Sequence, residues 1–200
     1  MGRNSGGVRS SNTGRRFSEF VKEAIDYYVD GNGYGLNYSL RNGEELEGED
    51  AMLKKGMDQA TAKPLSKSYT LYRGVSASSI FGDDVQYGLV KSAIIDGDRE
   101  PYVMEALNKA QATALKVKKD KGYMSCSKRP DTAEGFGGTQ NVVMKMTVKK
   151  GTKGIDLTEN RSIYKNNTNE QEVILARGLS YRVTKIYSSN GLIYVDAEIL

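Results

Sequence analysis

The sequence contains a stretch, Asn169-Glu170-Gln171-Glu172-Val173-Ile174-Leu175, in which two carboxylates stand two residues apart immediately before an aliphatic run. The run predicts a β-strand, in which Glu170 and Glu172 would project from one face about 7 Å apart and Gln171 from the other. Two carboxylates at this separation repel each other and favour a cationic partner. On its own, the stretch is typical of either a functional site or a solvated edge strand with two surface glutamates.

Length and composition indicate a single globular domain. The chain has 200 residues, of which 38% are hydrophobic and 27% charged, and this suffices for one core with a polar surface. No apolar run reaches the roughly 18 to 20 residues that cross a bilayer, and residues 1–16 lack the apolar segment of a secretory signal. We therefore expect a soluble protein with no signal peptide and no membrane contact.

The sequence contains no histidine and a single cysteine, Cys126. This composition excludes Ser-His-Asp and Cys-His catalysis and most zinc sites, and it leaves neither an internal disulfide nor a cysteine-based metal site. An enzyme built from this chain would have to use carboxylates, hydroxyls and guanidinium groups. We expect no metal.

The net charge of +4 is dispersed along the chain and does not indicate nucleic-acid binding. Residues 1–16 differ from the rest, because they are rich in Gly, Ser and Asn and contain four arginines and no acid. We predict that they form a disordered basic arm, either a solvated tail or a contact for an acidic partner. Residues 17–200 are expected to form one domain.

Helical spacing of apolar residues predicts three helices, at residues 17–29, 51–62 and 101–117. Residues 34–43 are predicted to form a loop, and residues 76–97 are ambiguous. The third helix is predicted to turn these residues inward: Val103, Ala106, Leu107, Ala110, Ala114 and Leu115.

Short β-rich or alternating runs predict the strands, at residues 69–75, 122–127, 141–148, 154–157, 180–187 and 192–199. Asp131 with Glu134 three residues later resembles a capping box, which would open a short helix through Phe136. Helices followed by a mainly antiparallel set of strands predict an α+β fold.

Arg73 stands in the first predicted strand between Tyr72 and Gly74. A strand arginine is commonly exposed on the surface, so a surface position without a functional role stays open for Arg73. A glycine beside it would let a ligand approach the backbone, and a guanidinium is a good bidentate donor to phosphate.

Two serines lie in the predicted strand at residues 122–127. Strand alternation puts Ser125 and Ser127 on one face and Cys126 on the other. Serines at the end of a strand are also common turn formers, and the pattern alone does not separate the two interpretations.

Three motifs follow one another along the chain: Leu71-Tyr72-Arg73-Gly74-Val75, Ser125-Cys126-Ser127 and Glu170-Gln171-Glu172. In this order they resemble the Arg, Ser-x-Ser, Glu-x-Glu series of the R-S-E class of mono-ADP-ribosyltransferases. That class includes clostridial toxins that modify actin and Rho proteins and bacteriophage enzymes that modify host proteins. The resemblance covers about residues 17–200, and two flanking stretches share it: Leu36-Asn37-Tyr38-Ser39-Leu40-Arg41 and Glu172-Val173-Ile174-Leu175-Ala176-Arg177-Gly178.

Two features depart from the family pattern. Cys126 stands between the serines where the family typically has threonine, and residues 96–121 form a longer insertion than the resemblance leads us to expect. The insertion leaves the edge of the nicotinamide-binding region undefined.

The resemblance implies a two-sheet, mainly antiparallel β core of the ADP-ribosyltransferase type with N-terminal helices packed on it. It also implies NAD+ as co-substrate, with nicotinamide released through an oxocarbenium-like transition state that a fixed carboxylate stabilises. By resemblance, Glu172 hydrogen-bonds the ribose, and Ser125 or Ser127 orients its carboxylate.

The same resemblance assigns the remaining cofactor contacts. Arg73 would hold the NAD+ pyrophosphate, with Tyr72 in the same cofactor-binding set, and the Gly74 backbone would contact the nicotinamide carboxamide. Phe136 would stack near the nicotinamide ring, or it would serve only as a core anchor of its short helix.

Glu170 decides the predicted acceptor. Within the family, glutamate at this position accompanies arginine acceptors, and a carboxylate there can pair with an incoming guanidinium and assist its deprotonation. Residues 159–169 would then form the acceptor-recognition loop, with Tyr164 as a platform or as a simple exposed tyrosine.

We therefore expect an arginine-specific protein ADP-ribosyltransferase that acts in the cytoplasm of a host or target cell, delivered by a virion or a translocation partner. An NAD+ glycohydrolase, an inactive binding domain of the same fold and a nucleic-acid-modifying enzyme stay open as alternatives. The three motifs count against a binding domain, because binding alone needs no paired glutamates. Neither the target protein nor the oligomeric state is predicted.

Overall fold

The computed structural model of the chain describes residues 17–136, 141–160 and 170–200. The predicted basic arm and Tyr164 lie outside these residues. The described helices are α1 (Glu19–Tyr27), α2 (Gly33–Asn42), α3 (Gly48–Thr61), α4 (Ala77–Phe81), α5 (Tyr87–Lys91), α6 (Pro101–Ala114) and α7 (Pro130–Gly135), with π-helical turns at Tyr28–Asn32 and Ser92–Asp96 and a 3-10 turn at Leu157–Glu159. The strands are β1 (Tyr69–Ser76), β2 (Lys118–Lys119), β3 (Met124–Ser127), β4 (Asn141–Val148), β5 (Gly154–Asp156), β6 (Glu172–Leu175), β7 (Ser180–Ser189) and β8 (Leu192–Ile199).

The strands of the described residues form an eight-stranded network in the order β2-β7-β8-β4-β1-β3-β6-β5. Its pairs are antiparallel except for the parallel pair β4–β8. β1 pairs with β4 along its whole length, but it meets β3 at the single pair Tyr72–Ser127. The network is thus a five-stranded section and a three-stranded section (β3, β6, β5) joined at one point, and the α+β prediction is confirmed.

The N-terminal helices cover the three-stranded section. Ser18 is the N-cap of α1, and its side chain accepts a hydrogen bond from the Val21 amide. Gly31, with a φ of 108°, interrupts the helical backbone between α1 and α2. Buried side chains of α1, α2 and α3 pack with Ile155 and Ile174 of the sheet in a second core.

The prediction of a loop at residues 34–43 is wrong, because residues 34–42 belong to α2. Gly33 and Gly35 lower the helix propensity of this segment, but Leu36 and Asn37 are buried. Gly43 ends the helix in the left-handed conformation that suits a C-cap. Burial and capping therefore override propensity.

The main core lies on the other face of the sheet, under α4, α5 and α6. The strict alternation predicted for residues 141–148 is confirmed, since Val142, Met144, Met146 and Val148 all enter this core. Leu115 was predicted to point inward and does not. It is 49% exposed, because α6 ends at Ala114 and Leu115 is its C-cap.

A tight turn, Asn190-Gly191, joins β7 to β8. Both residues have positive φ, 52° and 72°, as a type I′ hairpin turn requires. None of the described helices is both long enough and apolar enough to cross a bilayer.

Candidate functional site

Glu172 is the first residue of β6, and only 8% of its surface is exposed. The prediction that Glu170 and Gln171 continue the strand is wrong. Gln171 has a φ of 47°, so the backbone turns there and Glu170, which is half-buried, lies outside the ladder. The positive φ is held from both sides: the Gln171 carbonyl accepts from the Lys128 amide at 3.2 Å, and the Glu170 carbonyl accepts from the Ser127 hydroxyl at 2.5 Å.

The pairing of β3 with β6 sets the faces of the two serines. Ser125 lies opposite Ile174 and Ser127 opposite Glu172, so Ser125, Ser127 and Glu172 share one face. Cys126 lies on the opposite face in the main core, and burial raises the pKa of its thiol to about 12. The predicted alternation within this strand is confirmed.

The two serines have different partners. The Ser127 hydroxyl donates to the Glu170 carbonyl and accepts from the Arg129 amide at 2.9 Å, so it fixes the turn before β6. The Ser125 hydroxyl lies 3.1 Å from the Tyr28 hydroxyl in the helical layer. Ser127 thus stabilises the backbone, while Ser125 contacts another side chain.

Tyr28 and Asn37 connect Ser125 to the start of its own strand. The Asn37 side-chain nitrogen donates to the Tyr28 hydroxyl at 2.7 Å, and its side-chain oxygen accepts from the Tyr123 amide at 2.7 Å. Sequence reasoning missed both residues, because Tyr28 fits the apolar stripe of a helix and Asn37 lay in a predicted loop.

Arg73 points from β1 towards the segment between β2 and β3. Its Nη1 lies 3.8 Å from Oδ2 of Asp120. This nitrogen is buried and has no hydrogen-bond partner among the residues that the structure describes. A buried guanidinium nitrogen without an acceptor costs free energy, so an anion placed there would be bound favourably.

Arg41 reaches the same carboxylate from α2. Its guanidinium donates to both oxygens of Asp120, at 2.9 and 3.1 Å, and to the Tyr123 carbonyl at 3.3 Å. Two guanidinium groups therefore flank one aspartate. Arg41 is not among the site residues predicted from the sequence, although the stretch Leu36–Arg41 shares the family resemblance.

The Tyr28 phenol lies within the electrostatic reach of both Arg73 and Glu172. Burial raises the pKa of the Tyr28 phenol above its ordinary value, with the charge of Glu172 adding to this and that of Arg73 opposing it. The same two charges act in opposite directions on the Cys126 thiol.

α7 covers the part of β1 that follows Arg73. A Cβ on Gly74 would lie 2.7 Å from the carbonyl oxygens of Ala133 and Phe136, so the backbone of α7 fills the space that the missing side chain leaves. Tyr72 packs against the small cluster of Ala133, Val143 and Tyr194. Phe136 is 55% exposed, which favours a surface role over that of a core anchor.

The predicted capping box at α7 is wrong. The N-cap is Arg129, which makes no side-chain cap, and Asp131 accepts instead from the Arg129 guanidinium and the Thr132 amide. Glu134 accepts from the Tyr194 hydroxyl. Pro130 starts the helix, and Glu134 fastens it to β8.

A second polar cluster lies beside the turn that precedes Glu172. Lys128 follows Ser127 and donates to Asp156 at 2.7 Å and to Thr158 at 2.6 Å, while the Tyr69 hydroxyl donates to Asp156 at 2.8 Å. Burial raises the pKa of the Asp156 carboxyl, but hydrogen bonds from Lys128, Thr158 and Tyr69 outweigh it and hold the pKa below the ordinary value. The cluster fastens β3 to β5.

Within the described ranges, no group of three or more histidine, cysteine or acidic side chains could hold a metal ion.

Comparison with known proteins gives consistent similarities. A family model described as ADP-ribosyltransferase exoenzyme matches residues 6–199. The chain is 27% identical to Exoenzyme T of Pseudomonas aeruginosa over 169 residues, which are 84% of this chain and 29% of that protein. The chain thus spans less than a third of the length of this relative.

Solved structures resemble the fold over most of its length. An ADP-ribosyltransferase from Clostridium botulinum superimposes with a TM-score of 0.67 and 25% identity, covering 91% of this chain and 87% of that one. Exoenzyme S from Pseudomonas aeruginosa, in complex with human 14-3-3 protein beta and bound to Carba-NAD, gives a TM-score of 0.62 at 21% identity, covering 90% and 74%.

Proposed function

The chain belongs to the ADP-ribosyltransferase exoenzyme family, and from this premise we propose that it transfers ADP-ribose from NAD+ to arginine side chains of a target protein and releases nicotinamide. The observation that carries the proposal is the pair of glutamates at the start of β6. Glu172 is buried on the face that bears Ser125, and Glu170 lies just outside the strand, where a second substrate could approach.

Arg73 and Arg41 would bind the pyrophosphate of NAD+. They share one aspartate, so the group as a whole is cationic, and Arg73 Nη1 has no hydrogen-bond partner among the described residues. Arginine is well suited to bind phosphate because its fork of donors matches two phosphate oxygens. A dianionic pyrophosphate would satisfy the open nitrogen.

Glu172 would stabilise the positive charge that develops on the ribose when the bond to nicotinamide breaks. An anion in a buried position acts more strongly on such a charge than one in water. Ser125 is on the same face of the sheet and would help to orient the Glu172 carboxylate. Because no proton has to leave the ribose in this step, the site needs no histidine.

Glu170 would receive the arginine of the target protein. The turn at Gln171 takes Glu170 out of the ladder, and the Ser127 hydroxyl holds its backbone. A carboxylate held there can pair with the incoming guanidinium and take up its proton.

Tyr72, Gly74 and Phe136 would border the nicotinamide. The exposed Phe136 ring, which lies where α7 crosses β1, supports the stacking role. Tyr164 as an acceptor platform stays a prediction, as do the action in a host cytoplasm and the delivery by a virion or a translocation partner.

The test is incubation of the chain with labelled NAD+, a cell lysate and an arginine analogue as alternative acceptor. We expect a hydroxylamine-sensitive, arginine-linked product. Glu172→Ala is expected to lower both transfer and nicotinamide release by about 100-fold or more, since it removes the charge that stabilises the transition state.

Glu170→Gln separates the two glutamates. It is expected to abolish transfer to the arginine analogue while much of the nicotinamide release persists, because water can still react. Arginine modification that survives Glu170→Gln would overturn the acceptor assignment. Nicotinamide release by the wild type without labelled protein or analogue would favour the NAD+ glycohydrolase.

A further inference from the structure

We propose that Tyr28 and Asn37 are positioning residues, which form a one-directional chain of hydrogen bonds that turns the Ser125 proton towards Glu172. The chain starts at the Tyr123 amide, passes through Asn37 and Tyr28, and ends at the Ser125 hydroxyl. A test of this proposal by enzyme activity rests on the proposed function. The geometry of the hydrogen bonds and a test by protein stability do not.

The donor-to-acceptor direction along these hydrogen bonds is fixed by the first of them. The backbone N–H of Tyr123 can only donate, so the atom of Asn37 that lies 2.7 Å away is the side-chain oxygen. The other end of the Asn37 amide is then NH2, which can only donate, and it lies 2.7 Å from the Tyr28 hydroxyl. Tyr28 therefore accepts from Asn37.

The Tyr28 proton consequently goes to Ser125. Tyr28 is 4% exposed, and within the described residues its hydroxyl has hydrogen bonds to Asn37 and Ser125 alone. A buried hydroxyl that failed to donate would cost free energy. Because burial raises the pKa of the phenol, Tyr28 stays protonated and able to donate at neutral pH.

Ser125 then keeps its own proton for another acceptor. Its oxygen accepts the hydrogen bond from Tyr28, and the sheet register places Glu172 on the same face two pairs further along. A carboxylate is an acceptor without a proton to donate. The chain of hydrogen bonds therefore presents Ser125 as a donor towards Glu172, or towards a ribose hydroxyl bound between them.

The two positioning side chains are held rigidly. The Tyr28 ring packs edge-on against Tyr123, with centroids 5.9 Å apart and planes at 82°, and a Cβ on Gly33 would lie 2.7 Å from the Tyr28 ring. Asn37 is 7% exposed. Since Tyr123 directly precedes β3 and Ser125 lies in it, the chain of hydrogen bonds leaves and re-enters the backbone within three residues, which restricts the Ser125 rotamer.

The first experiment is a double-mutant cycle of Tyr28→Phe and Ser125→Ala on transfer and nicotinamide release. Tyr28→Phe removes one hydroxyl and is expected to lower kcat about five- to tenfold, with KM for NAD+ unchanged. In the Ser125→Ala background the same substitution is expected to change kcat less than twofold. An equal loss in both backgrounds, or a rise in KM alone, would overturn the proposal.

The control is Tyr187→Phe, which removes a tyrosine hydroxyl that donates to Asp196 at 3.1 Å on the outer strands. It is expected to leave kcat unchanged. If Tyr187→Phe lowers kcat as much as Tyr28→Phe does, the effect of Tyr28 is general destabilisation.

The same cycle measured by urea unfolding tests the hydrogen bond without using activity. The two substitutions are expected to be non-additive by about fivefold in the unfolding equilibrium constant. Additive effects would overturn the Tyr28–Ser125 link. Wild-type protein that shows this coupling but no reaction with NAD+ would refute the proposed function and leave the link supported.

Discussion

Gly74 lies where the backbone of α7 crosses β1, and at the scale of single residues it is a position where one added methyl group would meet fixed backbone. A Cβ there would lie 2.7 Å from two carbonyl oxygens, and backbone atoms yield less easily than the end of a flexible side chain. Gly74→Ala is therefore expected to lower the free energy of unfolding by about 2 kcal/mol. Urea denaturation monitored by circular dichroism measures this change.

Gly135 provides the matched control, because it is in α7 itself and, apart from its chain neighbours and the backbone of α7, no atom of the described residues lies within 4 Å of the Cβ that alanine would add. Gly135→Ala is expected to leave the free energy of unfolding unchanged or to raise it by about 0.5 kcal/mol, since it restricts the unfolded chain. Equal losses in the two variants would show that close packing of α7 on β1 is not the cause.

Some of the residues that form the candidate site were predictable and others were not. Strand alternation predicted that Ser125 and Ser127 share a face, and the resemblance singled out Glu172, whose position on that face comes from the sheet register of the structure. The turn at Gln171 does not, because a positive φ in a residue other than glycine arises here from hydrogen bonds to Ser127 and Lys128, which are more than 40 residues away. Local sequence carries no signal for such long-range contacts.

At the scale of elements, the Lys128–Asp156 pair fastens the end of β3 to β5. The pKa of Asp156 is held below its ordinary value of 3.8, so the charged carboxylate stabilises the fold above that pH. The contribution is lost as the pH falls through the lower, folded-state pKa. At neutral pH, Asp156→Asn leaves Lys128 without its partner and is expected to cost about 3 kcal/mol.

The measurement is urea unfolding of wild type and Asp156→Asn at pH 7 and at two values below pH 4. The difference between the two proteins is expected to shrink as the pH falls, since the wild-type carboxylate then becomes protonated. Glu198→Gln is the control: Glu198 pairs with Arg182 at a solvent-exposed position away from this cluster, and such exposed pairs contribute little. A wild-type advantage that stayed constant down to pH 2 would contradict the assignment.

The elements themselves were predicted unevenly. Strands with strict alternation, such as β4, were predicted with their bounds, because period two has no other explanation. α2 was missed, because its glycines and polar residues resemble a loop and its helical state depends on burying Leu36 and Asn37 under the sheet. This is a tertiary effect that a local pattern does not contain.

At the scale of the whole molecule, the candidate site draws residues from three parts. Arg73 comes from the five-stranded section, Ser125 and Glu172 from the three-stranded section, and Arg41 from the helical layer. Among the residues that the structure describes, the two sheet sections share the single pair Tyr72–Ser127. A ligand that contacts all three parts therefore links structure that the sheet connects weakly.

We expect NAD+ at 100 times its dissociation constant to stabilise the folded chain by about 2.7 kcal/mol, because it binds the folded state alone. Thermal unfolding with and without NAD+ measures this. The upward shift of the melting temperature is expected to disappear in Arg41→Ala and in Arg73→Ala.

Arg182→Ala is the control, since Arg182 pairs with Glu198 on the outer strands. This variant is expected to keep the full NAD+-dependent shift. A shift that persisted in Arg73→Ala would contradict the pyrophosphate site.

The position of Cys126 has a practical consequence. The only thiol of the chain lies between the two serines of β3, 4% exposed and on the core side of the strand. Since the neutral, enclosed thiol reacts poorly with alkylating reagents, its modification requires β3 to separate from the core that covers it. The rate at which Cys126 is labelled therefore reports how often this part of the sheet opens, and no engineered thiol is needed for the measurement.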